Sequence, residues 1–356
     1  MTEGLTIYGS DELVEKLKTM NNTAFICTIG TSETSKIPGI SGAGATPNDT
    51  VYTPAGDVEL IAIGEVKCTD NMAETVVDGQ AAPTPAIITK ACLDLSKVPF
   101  LTVNAGCEIN PTIKTSQIGD TGAKDIRTGK AVENAEDIYY NAVKLGIDFE
   151  ELHDFIVVGE SMPGGTTTAL GVLKALGYDA DYKVSGASPE NPHELKLSLV
   201  NEGLKNAGIE SPEDLSSPFD AVKSVGDTII PAVAGITMGS KKPVVLAGGT
   251  QMCAVCSLIK SIEPDFDFSR IILATTVYVA EDKSANLLDI VKQISDNLTV
   301  CVVDPGFEKT DNDGLKNYLN GFVKEGVGAG GSMFLSLIRG HSIEEIRNKI
   351  VEEIEK

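Results

Sequence analysis

Short apolar stretches rich in β-branched residues recur along the chain, and most of them are followed by small or polar residues and then by a helical pattern. Apolar runs without polar alternation predict strands that are covered on both faces, which is typical of parallel sheets. Strands that alternate with helices predict an α/β fold. The predicted strands span residues 24–29, 59–63, 100–103, 155–158, 244–246, 271–279 and 298–303.

Helical periodicity connects these strands. The predicted helices span residues 11–20, 85–96, 130–145, 166–176, 190–207, 284–295 and 343–355. No internal repeat, charge run or Ser/Pro-rich linker divides the chain, so we expect one large α/β domain over residues 22–325. Because helical segments lie before the first predicted strand and after the last one, residues 1–21 and 326–356 are expected to pair as a small helical cap. In a parallel sheet of this kind, the ligand is expected at the carboxyl ends of the strands.

The charge balance narrows the choice of partners. The chain has 29 Lys and Arg residues against 51 Asp and Glu residues, so its formal net charge is -22, which disfavours nucleic acid and anionic membranes. The most apolar stretch, residues 228–239, is shorter than the roughly 20 residues that a membrane span needs. The N-terminus lacks a signal-peptide pattern and the seven cysteines are dispersed, so we expect a cytoplasmic protein with reduced thiols.

A glycine-rich turn connects the strand predicted at 155–158 to the helix predicted at 166–176. Two adjacent glycines let the backbone approach a ligand closely, and the free N–H groups at a helix start favour an anion. The candidate phosphate-binding residues are Gly164, Gly165, Thr166, Thr167 and Thr168. An ordinary capped turn between a strand and a helix produces the same pattern, so the residues alone leave both interpretations open.

Three other patterns resemble known sites only in part. Residues 159–163 approach the nucleophile-elbow pattern GxSxG but end in proline, and only three histidines are available as a base. Residues 326–331 fit GxGxxG, yet a helical pattern precedes them and the 25 residues that follow are too few for a βαβ unit. Cys253 and Cys256 form a CxxC on a helical stretch, where buried thiols are expected. We therefore expect neither a serine hydrolase, nor an NAD-binding protein, nor a zinc or redox site.

Two long polar segments also follow predicted strands. Residues 30–56 and 103–129 are rich in glycine and small polar residues. Connections of this length in compact domains are usually functional or mobile. These two segments predict one large opening to an active site.

Three segments in the C-terminal two thirds of the chain resemble the nicotinate-nucleotide:dimethylbenzimidazole phosphoribosyltransferase (CobT-like) family of cobamide synthesis. They read GESMPGGTTTA at 159–169, SVGDTIIPAVAGITMGSKKPVVLAGGTQM at 224–252 and KEGVGAGGSMFLSLIR at 324–339. The N-terminal stretch IGTSETSKIPGISGAGATP is similar to the archaeal branch of that family. The family's late strand usually ends in Asp-Gly, whereas here Ala247 precedes Gly248.

The resemblance implies a Rossmann-like, mostly parallel sheet with helices on both faces and a small domain formed by the two termini. It also implies a homodimer whose active sites are completed across the interface, with no metal or organic cofactor. Glu325 matches the family's late Glu, the proposed catalytic base, and Glu160 would stabilise positive charge or orient the ribose. The substrate pocket implied by the resemblance contains Gly248, Gly249, Gly326 and Gly328.

The implied reaction is phosphoribosyl transfer from nicotinate mononucleotide to a benzimidazole-like or purine base, which gives an α-ribotide for the cobamide lower ligand and releases nicotinate. The positively charged pyridinium nitrogen becomes neutral as nicotinate leaves, so no general acid is needed, and the enzyme has to hold the substrates in place and take a proton from the attacking base. The implied partners are these small molecules, with no nucleic acid and no membrane. Two alternatives stay open: another nucleoside or nucleotide transferase on the same scaffold, and a nucleotide-binding regulatory protein without turnover.

Overall fold

The computed structural model of the chain describes residues 2–69, 74–77 and 80–356. Within these ranges the chain forms ten strands. They are β1 (Leu5–Tyr8), β2 (Thr23–Ile29), β3 (Glu74–Val77), β4 (Gln80–Pro83), β5 (Phe100–Asn104), β6 (Ser116–Gln117), β7 (Phe155–Ser161), β8 (Val244–Ala247), β9 (Ile271–Thr276) and β10 (Thr299–Val303).

Eight of these strands form one sheet in the order β1-β10-β9-β8-β7-β2-β5-β6. Every neighbouring pair is parallel except β1 and β10, which are antiparallel. β3 and β4 form a separate antiparallel pair. The mostly parallel α/β sheet predicted from the apolar runs is therefore confirmed.

Fourteen α-helices in the described ranges surround the sheet. They are α1 (Glu12–Lys18), α2 (Thr53–Ile63), α3 (Pro85–Ser96), α4 (Ala135–Leu152), α5 (Gly165–Ala175), α6 (His193–Ala207), α7 (Phe219–Val225), α8 (Ile229–Gly239), α9 (Thr250–Ile262), α10 (Val277–Ala280), α11 (Leu287–Ile294), α12 (Asp313–Leu319), α13 (Ala329–Ile338) and α14 (Ile343–Ile354).

The sheet separates two hydrophobic cores because alternate residues of each strand point to opposite faces. On the first face, Ile26 and Val158 pack with side chains from α4 to α9 and from α11. On the second face, Phe25 and Val157 pack with side chains from α1 to α3 and from α12 to α14. Helices thus cover both faces, as a buried parallel sheet requires.

The prediction of a strand at 59–63 was wrong, because these residues form the second half of α2. Pro54 lies in the first turn of this helix, and Gly64 ends it with a left-handed φ of 77°. Most of α2 is buried, so its apolar residues do not follow one stripe. A short apolar run in a buried helix cannot be told from a strand by periodicity alone.

Other boundaries also differ from the predictions. The strand predicted at 271–279 ends at Thr276, and α10 follows at once. The helix predicted at 130–145 begins at Ala135 and continues through Gly146 to Leu152. A Cβ at Gly146 would lie 2.3 Å from the carbonyl oxygen of Ile236, so this glycine allows α4 and α8 to pack closely instead of ending α4.

The terminal segments contact the same sheet as the rest of the chain. β1, which the sequence analysis does not predict, pairs with β10, and α13 packs against β7, β8, β9 and β10. The division into a large domain at 22–325 and a cap formed by 1–21 and 326–356 stays a prediction. None of the helices described here is long and apolar enough to cross a lipid bilayer.

Candidate active site

A cavity of about 160 Å³ lies at the carboxyl ends of β7, β8 and β9, the edge of the sheet at which the sequence analysis places a ligand. Its wall is formed from both sides of the sheet. The turn before α5 and the start of α9 contribute residues from the first face. The second face contributes residues from α2, the start of α3 and the turn before α13.

The glycine turn before α5 is closely packed, which explains its composition. Gly164 has a left-handed φ of 77°, and a Cβ there would lie 3.2 Å from Cα of Ser35. A Cβ at Gly165 would lie 2.7 Å from Oε1 of Gln251. Both glycines and Thr166 line the cavity, so the N-terminus of α5, with its partial positive charge, faces this space.

The other two predicted phosphate-binding threonines lie behind the turn. The hydroxyl of Thr168 lies within hydrogen-bond distance of Asp227 and of the carbonyl oxygen of Gly165, at 3.0 Å in the second case. Thr167 is fully buried, and its hydroxyl has no hydrogen-bond partner among the described residues. Neither residue lines the cavity, and a role for them in phosphate binding stays a prediction.

Glu325 lies in the turn between α12 and α13 and lines the cavity. Its Oε2 accepts hydrogen bonds from the backbone N–H of Thr276 at 3.1 Å and from the hydroxyl of Thr275 at 3.3 Å. Its Oε1 accepts from the backbone N–H groups of Gly326 at 3.1 Å and Gly330 at 3.2 Å. Burial raises the pKa of Glu325 to about 7, while these backbone donors oppose the rise. The carboxylate is thus held in one orientation, and the hydroxyl of Thr275 is the one side-chain donor among the described residues that can rotate away to free an oxygen.

The backbone around Glu325 is unusual. Val323, Lys324 and Val327 have left-handed φ angles of 63°, 64° and 54°, which non-glycine residues rarely adopt. Such residues cluster at active sites, where the surrounding structure holds them. Here the backbone N–H of Val327 donates to the carbonyl oxygen of Glu160 at 2.9 Å, which ties the turn to the end of β7.

Glu160 lines the cavity near the end of β7. Burial raises its pKa to about 8, and the negative charges of Asp227, Glu325 and Asp57 add to the rise. No described side chain donates a hydrogen bond to its carboxylate.

The four glycines of the predicted substrate pocket separate into two pairs. Gly249 and Gly326 line the cavity, whereas Gly248 and Gly328 do not. Gly328 allows close packing, since a Cβ there would lie 2.7 Å from the ring of Phe25 and 3.0 Å from Cβ of Ala247.

The small side chain of Ala247 has a structural reason as well. A Cβ at Gly331, in the first turn of α13, would lie 2.2 Å from Cβ of Ala247. α13 therefore lies directly against the end of β8. A small residue at position 247 allows this close packing of α13.

Sequence reasoning missed Asp57, which lies on α2 and lines the cavity. Its Oδ1 accepts from the hydroxyl of Thr84 at 2.9 Å, and its Oδ2 accepts from the hydroxyl of Ser161 at 2.7 Å. Burial raises its pKa to about 6, and these two hydrogen bonds oppose the rise. Its neighbours were assigned to a strand from residue 59 onward, so nothing local marked Asp57 as part of a site.

Sequence reasoning also missed Lys196, which lies on α6 and is fully buried. Its Nζ donates to the carbonyl oxygen of Ser185 at 2.7 Å and to Oδ1 of Asn191 at 2.9 Å. Burial lowers its pKa to about 7, and the positive charge of Lys324 lowers it further. Ser185 lines the cavity, so Lys196 fixes one segment of the wall. The signal in the sequence that could have identified Lys196 was its position on the apolar side of α6.

The long segment at 30–56 reaches the cavity through Ile40, Ser41, Ala43 and Thr53, as predicted. The segment at 103–129 differs from the prediction, because none of its residues lines the cavity.

Ser161 donates its hydroxyl hydrogen bond to Asp57, and none of His153, His193 and His341 lines the cavity. Within the described ranges no serine and histidine form a catalytic pair here. Cys253 and Cys256 are buried, unpaired thiols inside α9, as expected.

The chain is similar to proteins of known sequence and structure. It is 52% identical over 352 residues to a UPF0284 protein of Methanothermobacter thermautotrophicus, with 99% of this chain and 98% of that protein covered. The crystal structure of CobT from Thermus thermophilus matches 94% of this chain and 86% of its own, with a TM-score of 0.59 and 15% identity.

A nicotinate-nucleotide-dimethylbenzimidazole phosphoribosyltransferase from the same bacterium matches with a TM-score of 0.53 and 14% identity, and covers 94% of this chain and 88% of its own. At this identity the likeness is one of fold. A scan against models of known protein families finds no match.

Proposed function

This chain belongs to the family of UPF0284 proteins, and we propose that it is a pentosyltransferase that moves the phosphoribosyl group of nicotinate mononucleotide to an aromatic azole or purine base. The products are nicotinate and an α-ribotide, the form used for a cobamide lower ligand. The fold that the chain shares with CobT supports this reaction class. The observation that carries the proposal is the arrangement of the cavity, with an anion-favouring turn on one face of the sheet and Glu325 on the other.

The two faces of the sheet suit two different parts of the substrates, the 5′-phosphate of the donor and the acceptor base. Gly164 and Gly165 allow the 5′-phosphate to approach the start of α5, which provides binding energy from a group that does not react. Glu325 lies beyond the carboxyl ends of β8 and β9, on the second face. The ribose then spans the sheet edge beside Glu160. In this proposal a single nucleotide extends from the phosphate turn toward the carboxylates, all of which line one cavity.

The proposed reaction balances without a cofactor. The bond between C1′ and the pyridinium nitrogen breaks, and its electron pair neutralises that nitrogen as nicotinate leaves. An azole nitrogen forms the new bond to C1′ from the opposite side of the ribose, and Glu325 takes the N–H proton of the azole. Glu160 orients the ribose or stabilises its positive charge. General base catalysis of this kind contributes roughly 10²- to 10⁴-fold.

Glu325 supports turnover over a purely regulatory role. Glu325 borders the cavity, and rotation of the Thr275 hydroxyl frees one of its oxygens to take a proton, whereas a protein that only binds a nucleotide does not need such a carboxylate. An accurate position and a pKa near the working pH are what a base requires.

The direct test is to incubate the purified protein with nicotinate mononucleotide and a panel of azoles and purines, and to follow nicotinate release by chromatography. We expect release that depends on the acceptor, together with formation of an α-ribotide. Absence of release with every acceptor, for a folded protein that binds the mononucleotide, would overturn the proposal. Nucleoside formation from another donor would instead favour a different transferase on this scaffold.

A further inference from the structure

Asp57 is a buried carboxylate in the cavity wall that no cation neutralises among the described residues. The residue is 2% exposed, and the carboxylate accepts hydrogen bonds from two hydroxyls, those of Thr84 and Ser161. Burying a carboxylate without a cation is costly unless hydrogen bonds compensate for the lost hydration. Each carboxylate oxygen accepts up to two hydrogen bonds. Asp57 therefore has acceptor capacity left beside the cavity.

The neighbouring buried aspartate, Asp227, shows the difference between a structural carboxylate and Asp57. Asp227 accepts hydrogen bonds from two side chains, Thr168 and Gln251, and from two backbone N–H groups, those of Ile229 and Ile230. It does not line the cavity. Asp227 meets its four donors away from the cavity, whereas Asp57 has two donors and, like Glu325, borders a space that a ligand can fill.

Asp57 lies on the same face of the sheet as Glu325. α2 carries Asp57, packs against α3 and belongs to the same hydrophobic core of the second face as α13. The start of α3 touches the Glu325 turn, because a Cβ at Gly326 would lie 3.2 Å from the ring of Pro85. The glycine turn before α5 belongs to the opposite face. The two carboxylates thus border the part of the cavity away from the anion-favouring turn.

This placement decides which part of the substrates meets Asp57. An anionic phosphate is repelled by two carboxylates and attracted by the N-terminus of α5. The acceptor base, whose N–H faces Glu325, then occupies the space beside Asp57. A hydrogen-bond donor on the ring of this base can pair with the Asp57 carboxylate at its edge. A methyl group at the same ring position leaves that carboxylate unpaired.

We propose that Asp57 is the residue that determines acceptor specificity, by accepting a hydrogen bond from a hydroxyl or amino group on the ring of the azole base. This inference rests on the proposed phosphoribosyl transfer. A site built to bind a substrate OH or NH rejects an analogue that lacks it, because the buried polar group then stays unpaired. Hydrogen bonds to charged groups correspond to a discrimination of roughly 10- to 100-fold.

The experiment compares three acceptors with nicotinate mononucleotide as the donor: benzimidazole, 5-hydroxybenzimidazole and the size-matched 5-methylbenzimidazole. For the unmodified chain we expect kcat/KM for the hydroxyl compound to exceed that for the methyl compound by roughly 10- to 100-fold. Asp57→Asn keeps the volume and removes the charge, and it should reduce this ratio to about threefold or less. Binding of nicotinate mononucleotide alone should stay within about twofold, because the phosphate turn lies on the other face. Asp120→Asn, at an exposed position, is the matched control and should keep the full ratio.

The outcomes separate the inference from the function on which it rests. Turnover of benzimidazole without preference for the hydroxyl compound overturns the role of Asp57 and leaves the transferase in place. A preference for the hydroxyl compound that persists in Asp57→Asn also overturns the role of Asp57 and leaves the transferase in place. No nicotinate release with any acceptor overturns both. If Asp57→Asn does not fold, Asp57→Ser takes its place in the comparison, and an unmodified chain without the preference overturns the inference by itself.

Discussion

Lys324 and Asp282 form an ion pair in which Nζ and Oδ2 lie 2.7 Å apart and the side chains are only 5% and 6% exposed. Lys324 directly precedes Glu325 and has a left-handed φ of 64°. A non-glycine residue in such a conformation costs on the order of 1–3 kcal/mol. The carbonyl oxygen of Lys324 also accepts a hydrogen bond from the hydroxyl of Thr276 at 2.6 Å. The pair therefore holds a strained turn in the position where its next residue faces the cavity.

Removing this pair should destabilise the fold and the site together. In Lys324→Met, Asp282 stays buried without its cation, and the free energy of unfolding should fall by about 3–5 kcal/mol. Urea denaturation measures this change. The control is Lys124→Met, which removes an ion pair with Glu133 whose side chains are 54% and 67% exposed, and which should cost about 1 kcal/mol or less. Similar losses in the two variants would contradict the supporting role of Lys324.

Replacing Glu325 by Gln keeps the shape of the side chain and removes the base. Turnover with an azole acceptor should fall by roughly 10²- to 10⁴-fold. Affinity for nicotinate mononucleotide should barely change, since the phosphate turn is intact. Steady-state kinetics and calorimetry measure the two quantities. Glu308→Gln, at an exposed position, serves as the control and should behave as the unmodified chain.

The same residue should set the pH dependence of the reaction. A carboxylate accepts a proton only when it is ionised, and the pKa of Glu325 is raised to about 7. Consequently kcat/KM should rise with pH through about 7 and level off above it. In the variant Glu325→Gln, kcat/KM should not rise with pH in this range. Near-normal turnover in Glu325→Gln would show that it is not the base and would make Glu160 the residue to test.

Glu160 should make the unliganded protein less stable as pH rises. Its folded pKa of about 8 lies above its ordinary value of 4.5, so the folded state binds the proton more tightly than the unfolded state. The resulting stabilisation is present below about pH 4.5 and is lost as pH rises through about 8.

Unfolding of Glu160→Gln between about pH 5 and 7 tests this prediction. The variant should lose less stability across this range than the unmodified chain, since its side chain does not titrate. Lys196 does not interfere, because its folded pKa of about 7 affects stability only above that pH, where stability rises with pH. Equal slopes for the two proteins would contradict the raised pKa.

Gly165→Leu should weaken binding of the nucleotide far more than binding of its dephosphorylated nucleoside. A Cβ at this position already meets Gln251 at 2.7 Å, so a larger side chain has to displace the wall beside the start of α5. Calorimetry with the two ligands measures the ratio, and the nucleoside serves as the internal control. Equal loss for both ligands would count against a phosphate at this turn.

We also predict a homodimer in solution, from the family resemblance. Light scattering at micromolar concentration should give a mass near twice that of one chain. A mass near the 37.5 kDa of one chain would contradict the prediction.

The sequence by itself determined most of the sheet and indicated the edge of the sheet where the candidate site lies. β2, β5, β7, β8 and β10 were predicted from apolar runs, because a strand buried on both faces shows its burial in consecutive residues. The glycine turn and Glu325 were also found, since a turn that a ligand approaches closely requires local glycines. Both lie in the same cavity at the carboxyl edge.

Only the tertiary structure decided which other side chains meet there. Asp57 reaches Ser161 across 104 positions of the sequence, and Lys324 reaches Asp282 across 42. Local patterns record how one element is buried and where a turn occurs, but they do not record which distant elements pack together. α2 shows the limit most clearly: its apolar residues fit a strand as well as a buried helix, and its aspartate becomes part of the site only through its contacts with α3 and β7.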